Sequence, residues 1–321
     1  MSLLKVEKLT THYATKRGPV KAVEGISFEV KKGQALGVVG ESGCGKTTVA
    51  LSIMRILPSG GKIVGGQIFW KDADITKASE KEMRRIRWKE MSIVFQGAMN
   101  ALDPLYRLGD QISEAIHTHE REAKNKERLD RTRKLLELVG VEPARAKSYP
   151  HELSGGMRQR GLIAMALSCN PELLIADEPG TALDVIVQAQ ILSVMEELRK
   201  KLNLAMILIT HDLSTVADTC DKIAIMYAGK IVEYADISSL FEEPLHPYTQ
   251  GLIHSFPSIK SARTRMTSIS GSPPDLLNPP QGCRFHPRCS FAKDVCKETE
   301  PAVTKMNEEE HTVACHLFDK V

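Results

Sequence analysis

The sequence predicts an α/β fold on a mainly parallel sheet, with an N-terminal antiparallel β subdomain, a helical subdomain and a small irregular cysteine-rich C-terminal unit. Three observations carry this. Short apolar runs such as "ALGVVG", "ELLIAD" and "AMILIT" have the length and composition of buried strands. Amphipathic helical stretches alternate with them, the pattern that covers both faces of a parallel sheet. Past about residue 240 the alternation stops and proline takes over: nine of the sixteen prolines lie between Pro244 and Pro301.

Residues 3–34 read as short strands and turns, with alternating apolar positions in "KAVEGISFEV". "ALGVVG" leads through a glycine-rich turn into "KTTVALSIMRIL", a helical pattern. "MSIVFQ" (91–96) is a further buried strand, and residues 110–139 read as helix. Eleven charged residues crowd 120–134, which fits a solvated helix face. "ELLIAD" (172–177), "AMILIT" (205–210) and "KIAIMYAG" (222–229) complete the buried strands. Between the first two, Val187, Ile191, Met195, Leu198 and Leu202 recur at spacings of four and three, one apolar helix face. "SPPDLLNPP" can be neither regular helix nor central strand. The expected division is 1–240 for the main domain, with a helical subdomain at about 98–165, and 241–321 for the extension.

Composition is that of a globular protein, 42% hydrophobic and 26% charged. A net charge of +3 gives no reason to expect nucleic acid. No apolar run approaches the ~20 residues a membrane-spanning helix needs. The N-terminal "MSLLKVEKLTTHY" lacks a secretory pattern, so a cytoplasmic chain is expected, reaching any membrane through other proteins.

"GESGCGKT" (Gly40–Thr47) fits G-x-x-x-x-G-K-[ST] and stands between a strand and a helix. Its glycines let backbone N–H groups turn toward phosphate oxygens, and the helix start adds a positive end. Lys46 is placed for the β- and γ-phosphates and Thr47 for Mg²⁺. "LLIADE" carries the chain to Asp177 and Glu178 at the carboxyl end of a strand, where open α/β sheets bind ligands. Asp177 would hold Mg²⁺ through its water shell and Glu178 would polarise the attacking water. The class is a nucleotide triphosphatase with a P-loop core.

"LSGGMRQR" (153–160) narrows it. Ser154 suits a helix N-cap, and Gly155 and Gly156 leave N–H groups uncovered, an anion site with no phosphate of its own loop to bind. With the cradle, the "ADE" carboxylates, Gln96 in "VFQ" and His211 in "LITHD", the chain resembles the ATP-binding-cassette family over roughly residues 1–235. The resemblance implies two cassettes pairing head to tail, each closing Ser154–Gly156 over the other's ATP, so that hydrolysis needs a second cassette, related or identical. It implies that Gly40, Ser42, Gly43, Cys44, Gly45, Lys46, Thr47 and Thr48 bind ATP. Gln96 would contact Mg²⁺ and water, and His211 would hold the γ-phosphate. Asp184 in "ALD" (182–184) would lie at the dimer seam, and Tyr13 in "THY" would stack on adenine. Two positions depart from the family pattern: Gly97 stands where an aspartate is usual, and Gly180 where a threonine is. Both are expected to loosen loops without removing a ligand.

DNA-repair cassettes carry a long coiled coil or zinc insert between cradle and serine-glycine-glycine run; here no sustained heptads occur between Lys46 and Ser154. Translation cassettes carry two in one chain. A soluble mechanochemical ATPase is thus the alternative class. "EEPLHPYTQGLI", "GSPPDLLNPPQGCRFHPRCSFA" and "HTVACHL" are similar to the ATP-binding subunits of oligopeptide/dipeptide permeases, a resemblance covering essentially the whole chain. It implies an importer with two integral-membrane subunits, an external solute-binding protein, and this chain peripheral on the cytoplasmic face. The solute is not encoded here; oligosaccharides remain an alternative to peptides.

Four of the seven cysteines, Cys283, Cys289, Cys296 and Cys315, follow C-x5-C-x6-C-x18-C. Zinc sites favour C-x2-C pairs, which are missing; four thiolates also suit an iron–sulfur cluster. The permease resemblance points to [4Fe–4S], with zinc as the alternative and His286, His311 and His316 as nearby substitutes. A four-point tether would stabilise a segment too poor in apolar residues to bury much core.

Overall fold

The structure, a computed structural model, describes residues 2–97, 101–181, 183–255, 269–306 and 311–319. In chain order its strands are β1 Ser2–Thr15, β2 Gly18–Lys31, β3 Ala35–Val39, β4 Gly61–Trp70, β5 Ala73–Asp74, β6 Met91–Val94, β7 Leu173–Asp177, β8 Ala205–Thr210, β9 Lys222–Tyr227, β10 Lys230–Asp236, β11 Val303–Lys305 and β12 Thr312–Ala314. The helices are α1 Lys46–Ile53, α2 Glu80–Ile86, α3 Leu108–His119, α4 Asn125–Leu138, α5 Gly155–Ala166, α6 Val185–Leu202, α7 Leu213–Thr219, α8 Ile237–Glu242, α9 Pro247–His254 and α10 Val295–Glu298. The chain forms two compact units, one of Val30–Gln34 and Lys77–Leu208, the other of Ser2–Glu29, Ala35–Thr76 and Ile209–Val321.

In the first unit β6 and β7 pair in parallel, with Ile93 opposite Ile175 and Val94 opposite Ala176. Every residue of β7 is buried, which is why the strand reads as an unbroken apolar run. Helices α3, α4 and α5 form the helical subdomain. Glycine lets two of them approach closely: a Cβ at Gly161 would stand 2.8 Å from Leu108 Cδ1. The predicted 110–139 helix is two, broken over 120–124, where apolar periodicity lapses and Glu120 instead pairs with Arg131 at 2.7 Å. Helix α6 spans the predicted stretch, with Asp184 accepting from Val187 N at 2.9 Å and Asn203 closing it in the left-handed region at φ 50°. Its Ile191, Met195 and Leu198 are buried; Leu202 is exposed.

In the second unit β1 pairs antiparallel with β4 in a four-stranded sheet of order β2-β1-β4-β5, the expected N-terminal subdomain. A separate ladder joins β3 in parallel to β9, β9 antiparallel to β10, β10 to β12 and β12 to β11. The extension is therefore less irregular than its prolines suggest: α9 begins at Pro247, where a missing N–H costs nothing, and β12 adds an edge to the ladder. One buried carboxylate organises this. Glu233 accepts from Leu245 N and His246 N, each at 2.9 Å, and lies 2.8 Å from His311 Nε2. Glu233→Ala strips three partners at a residue 1% exposed. The expected cost is about 3–5 kcal/mol, read as a lower unfolding midpoint and early proteolysis of the extension, with Glu233→Gln costing less.

Candidate functional site

The cradle follows β3, and its shape is set by glycines where side chains would collide. A Cβ at Gly40 would stand 2.1 Å from Met226 O, and one at Gly45 2.1 Å from Ala22 O. Gly43 and Gly45 take φ of 81° and 104°, open to glycine and strained for other residues. Gly45→Ala is expected to push the loop off Ala22 and weaken ATP binding by about tenfold, since such strain costs about 1–3 kcal/mol; calorimetric titration with MgATP checks it. Gly45 also caps α1 without a side-chain hydrogen bond, so its cap residue covers none of the N–H groups of the first turn.

Lys46 is buried, and its ammonium donates to Gly40 O at 2.6 Å and Glu41 O at 3.0 Å. Thr47, Ser42 and Gly43 are exposed and Cys44 is buried, its thiol pushed up by burial. Tyr13 is half-buried, its hydroxyl 3.3 Å from Thr48 Oγ1, which sets the ring beside the cradle. A Cβ at Gly61 would meet the same ring at 2.8 Å, so Tyr13 is packed as well as placed.

On the first unit, Asp177 ends β7, buried, and Glu178 follows with φ 45°, a left-handed turn that lifts its carboxylate from the strand. Gln96 Nε2 donates to that carboxylate at 2.8 Å and Thr181 Oγ1 at 2.9 Å. The structure thus joins Gln96 to Glu178, and adds Thr181, which the sequence reading missed; its only signal is a hydroxyl three residues on. Gly97 takes φ 67°, and among the described residues nothing lies within 4 Å of a Cβ placed there. At Gly180 a Cβ would stand 2.4 Å from Gln188 Cγ, so the departure from threonine matches a packed neighbour rather than a loosened loop.

Ser154 caps α5 as expected, accepting from Met157 N at 3.3 Å, with Gly155 and Gly156 opening the helix. Asp184 serves as the α6 cap; Ala182 of the same motif lies outside the described residues. His211 is exposed just past β8, before Asp212, which caps α7.

The four C-terminal cysteines line one small cavity with His246, Phe285, His286 and His316. Burial first, then the neighbouring thiols, pushes Cys283 up to about 11. Burial raises Cys289 and Cys315 in the same direction, which favours protonated thiols in this cavity. His246 Nε2 is buried with no hydrogen-bond partner among the described residues, a donor toward which sulfur could accept. Among the described residues no three His, Cys, Asp or Glu side chains are grouped as a bound metal needs, so the geometry favours neither the expected cluster nor zinc.

Comparison with known proteins identifies the family. The family model for ABC transporters matches residues 23–181, and that for the oligopeptide/dipeptide transporter C-terminal region matches 232–296. The chain is 46% identical to the oligopeptide transport ATP-binding protein AppD of Bacillus subtilis, covering 99% of this chain and 98% of that one. It is 44% identical to the dipeptide transport ATP-binding protein DppD of Escherichia coli, covering 95% and 94%. Among solved structures it is similar to a dimeric bacterial ABC transporter cassette, MJ0796, with TM-score 0.66 and 25% identity over 73% of this chain and 98% of that one. The same cassette solved with ADP and phosphate superposes equally well, TM-score 0.66.

Proposed function

We propose, for a chain that belongs to the ATP-binding-cassette transporter ATPases, that it is the ATP-hydrolysing subunit of an importer for oligopeptides or dipeptides. The observation that carries this is likeness along the whole length, extension included, to AppD and DppD transport ATP-binding proteins. Lys46 and the Gly40–Thr48 backbone would hold the triphosphate, with Tyr13 against adenine. Thr47, Gln96 and Asp177 would serve Mg²⁺, Glu178 the attacking water, and His211 the γ-phosphate. Ser154–Gly156 and Asp184 would face the nucleotide of a second cassette. Residues 1–240 act as the nucleotide-binding domain and 241–321 as its extension.

No helix among the described residues is long and apolar enough to cross a membrane. In the permease reading, work on a solute passes through two integral-membrane subunits on whose cytoplasmic face this chain sits, fed by an external binding protein. Closure does work only by differing in free energy between the transporter's two states.

The cysteines hold a [4Fe–4S] cluster in this reading. When bound it would supply a four-point tether between Cys283, Cys289, Cys296 and Cys315, and its stability would be folding stability for the extension.

Reconstitution in vesicles with the cognate membrane subunits and binding protein tests the function. Peptide-dependent ATP hydrolysis is expected. Stimulation by an oligosaccharide instead would reassign the solute, and a chain that retains no integral-membrane partner from detergent extracts would be a soluble cassette.

A further inference from the structure

The loop that carries Lys46 also carries a carboxylate, Glu41, whose charge opposes a bound triphosphate. Its backbone is fixed in place: Glu41 N donates to Tyr248 Oη at 3.1 Å, and Glu41 O accepts from Lys46 Nζ at 3.0 Å. With its backbone this close to the ammonium, a free Glu41 side chain could fold back onto Lys46. Arg288 takes up that carboxylate instead. Its Nη1 and Nη2 donate to the two carboxylate oxygens at 2.6 and 3.0 Å, a fork-on-fork pair from 247 residues away.

Arg288 is itself anchored. It donates from Nε to Ser270 O at 2.8 Å, stands over the Tyr227 ring at 5.7 Å, and has a side chain 6% exposed. Tyr227 packs edge to face with Tyr248 and Phe285, which tilt against each other, with centroids 4.7 to 5.4 Å apart. Arg288 directly precedes Cys289 of the cysteine cavity, so the extension delivers it.

We propose that Arg288 is a positioning residue for ATP: it neutralises Glu41 and holds that carboxylate off Lys46, keeping the lysine for phosphate. The extension then sets nucleotide affinity through one ion pair. The proposal rests on the reading of Gly40–Thr47 as an ATP cradle. Hydrogen bonding to Glu41 also holds the guanidinium firmly charged.

Calorimetric titration of the full chain with MgATP tests this. Arg288→Met is expected to weaken binding by about tenfold, roughly 1.4 kcal/mol. Arg288→Lys, which keeps the charge, should lose less. Adding Glu41→Gln to Arg288→Met should recover most of the loss, because the unmasked charge is gone. A purely structural role for Arg288 predicts no such recovery, since its contacts to Ser270 and Tyr227 stay broken. Should Arg288→Met fail to fold, Arg288→Gln, neutral but still a donor, carries the same comparison. Parental affinity in Arg288→Met, or a double variant no tighter than the single, overturns the proposal. A parental chain that binds no MgATP ends the cradle reading itself.

Discussion

Glu178→Gln is expected to cut steady-state ATP turnover by roughly 10²–10⁴, the share that general acid–base groups supply, while ATP still binds. The substitution removes charge and keeps shape. Glu178 accepts from both Gln96 and Thr181, and a glutamine carbonyl can accept from both as well. Its φ of 45° is set by the turn after β7 rather than by the carboxylate's charge, so the side chain stays where it is. The glutamine lacks the basicity to take a proton from water. Bound ATP then persists, and a closed cassette pair should accumulate. Size-exclusion chromatography with MgATP reads the pair, and phosphate release reads the rate. Parental turnover in this variant contradicts the role.

Lys46→Ala should abolish measurable binding in the range where the parent saturates. Each hydrogen bond to a charged group contributes about 1.5–3 kcal/mol, and the ammonium would serve two phosphates, so a loss of at least about 100-fold in affinity follows. Folding should survive better than binding. Lys46 contacts its own loop through Gly40 O and Glu41 O, and neither is an apolar core contact. A melting curve close to the parent's beside a flat MgATP titration is the expected pair of results.

Much of this was legible because the chemistry is local. The cradle declares itself in eight consecutive residues, since glycine conformations, a helix start and a lysine must follow one another along the chain. The buried strands β3, β7, β8 and β9 read as apolar runs because both faces are covered. Ser154 declares its helix cap by residue type and position, whereas the cap at Asp184 shows only in the structure. What escaped depends on long-range pairing. Nothing near Glu41 announces Arg288, and nothing near Glu233 announces His311, because ion pairs across the fold leave no period in the sequence. The strands β11 and β12 are three residues each, too short for an alternation to register, and they take their structure from the β10 edge. The break between α3 and α4 hid inside a charged run that fits any solvated surface.

The account turns on where the triphosphate sits. A crystal structure of the Glu178→Gln chain grown with MgATP decides it. The expected density places the β- and γ-phosphates within hydrogen-bonding reach of Lys46 Nζ, with magnesium at Thr47. Nucleotide bound anywhere else on the chain would contradict it.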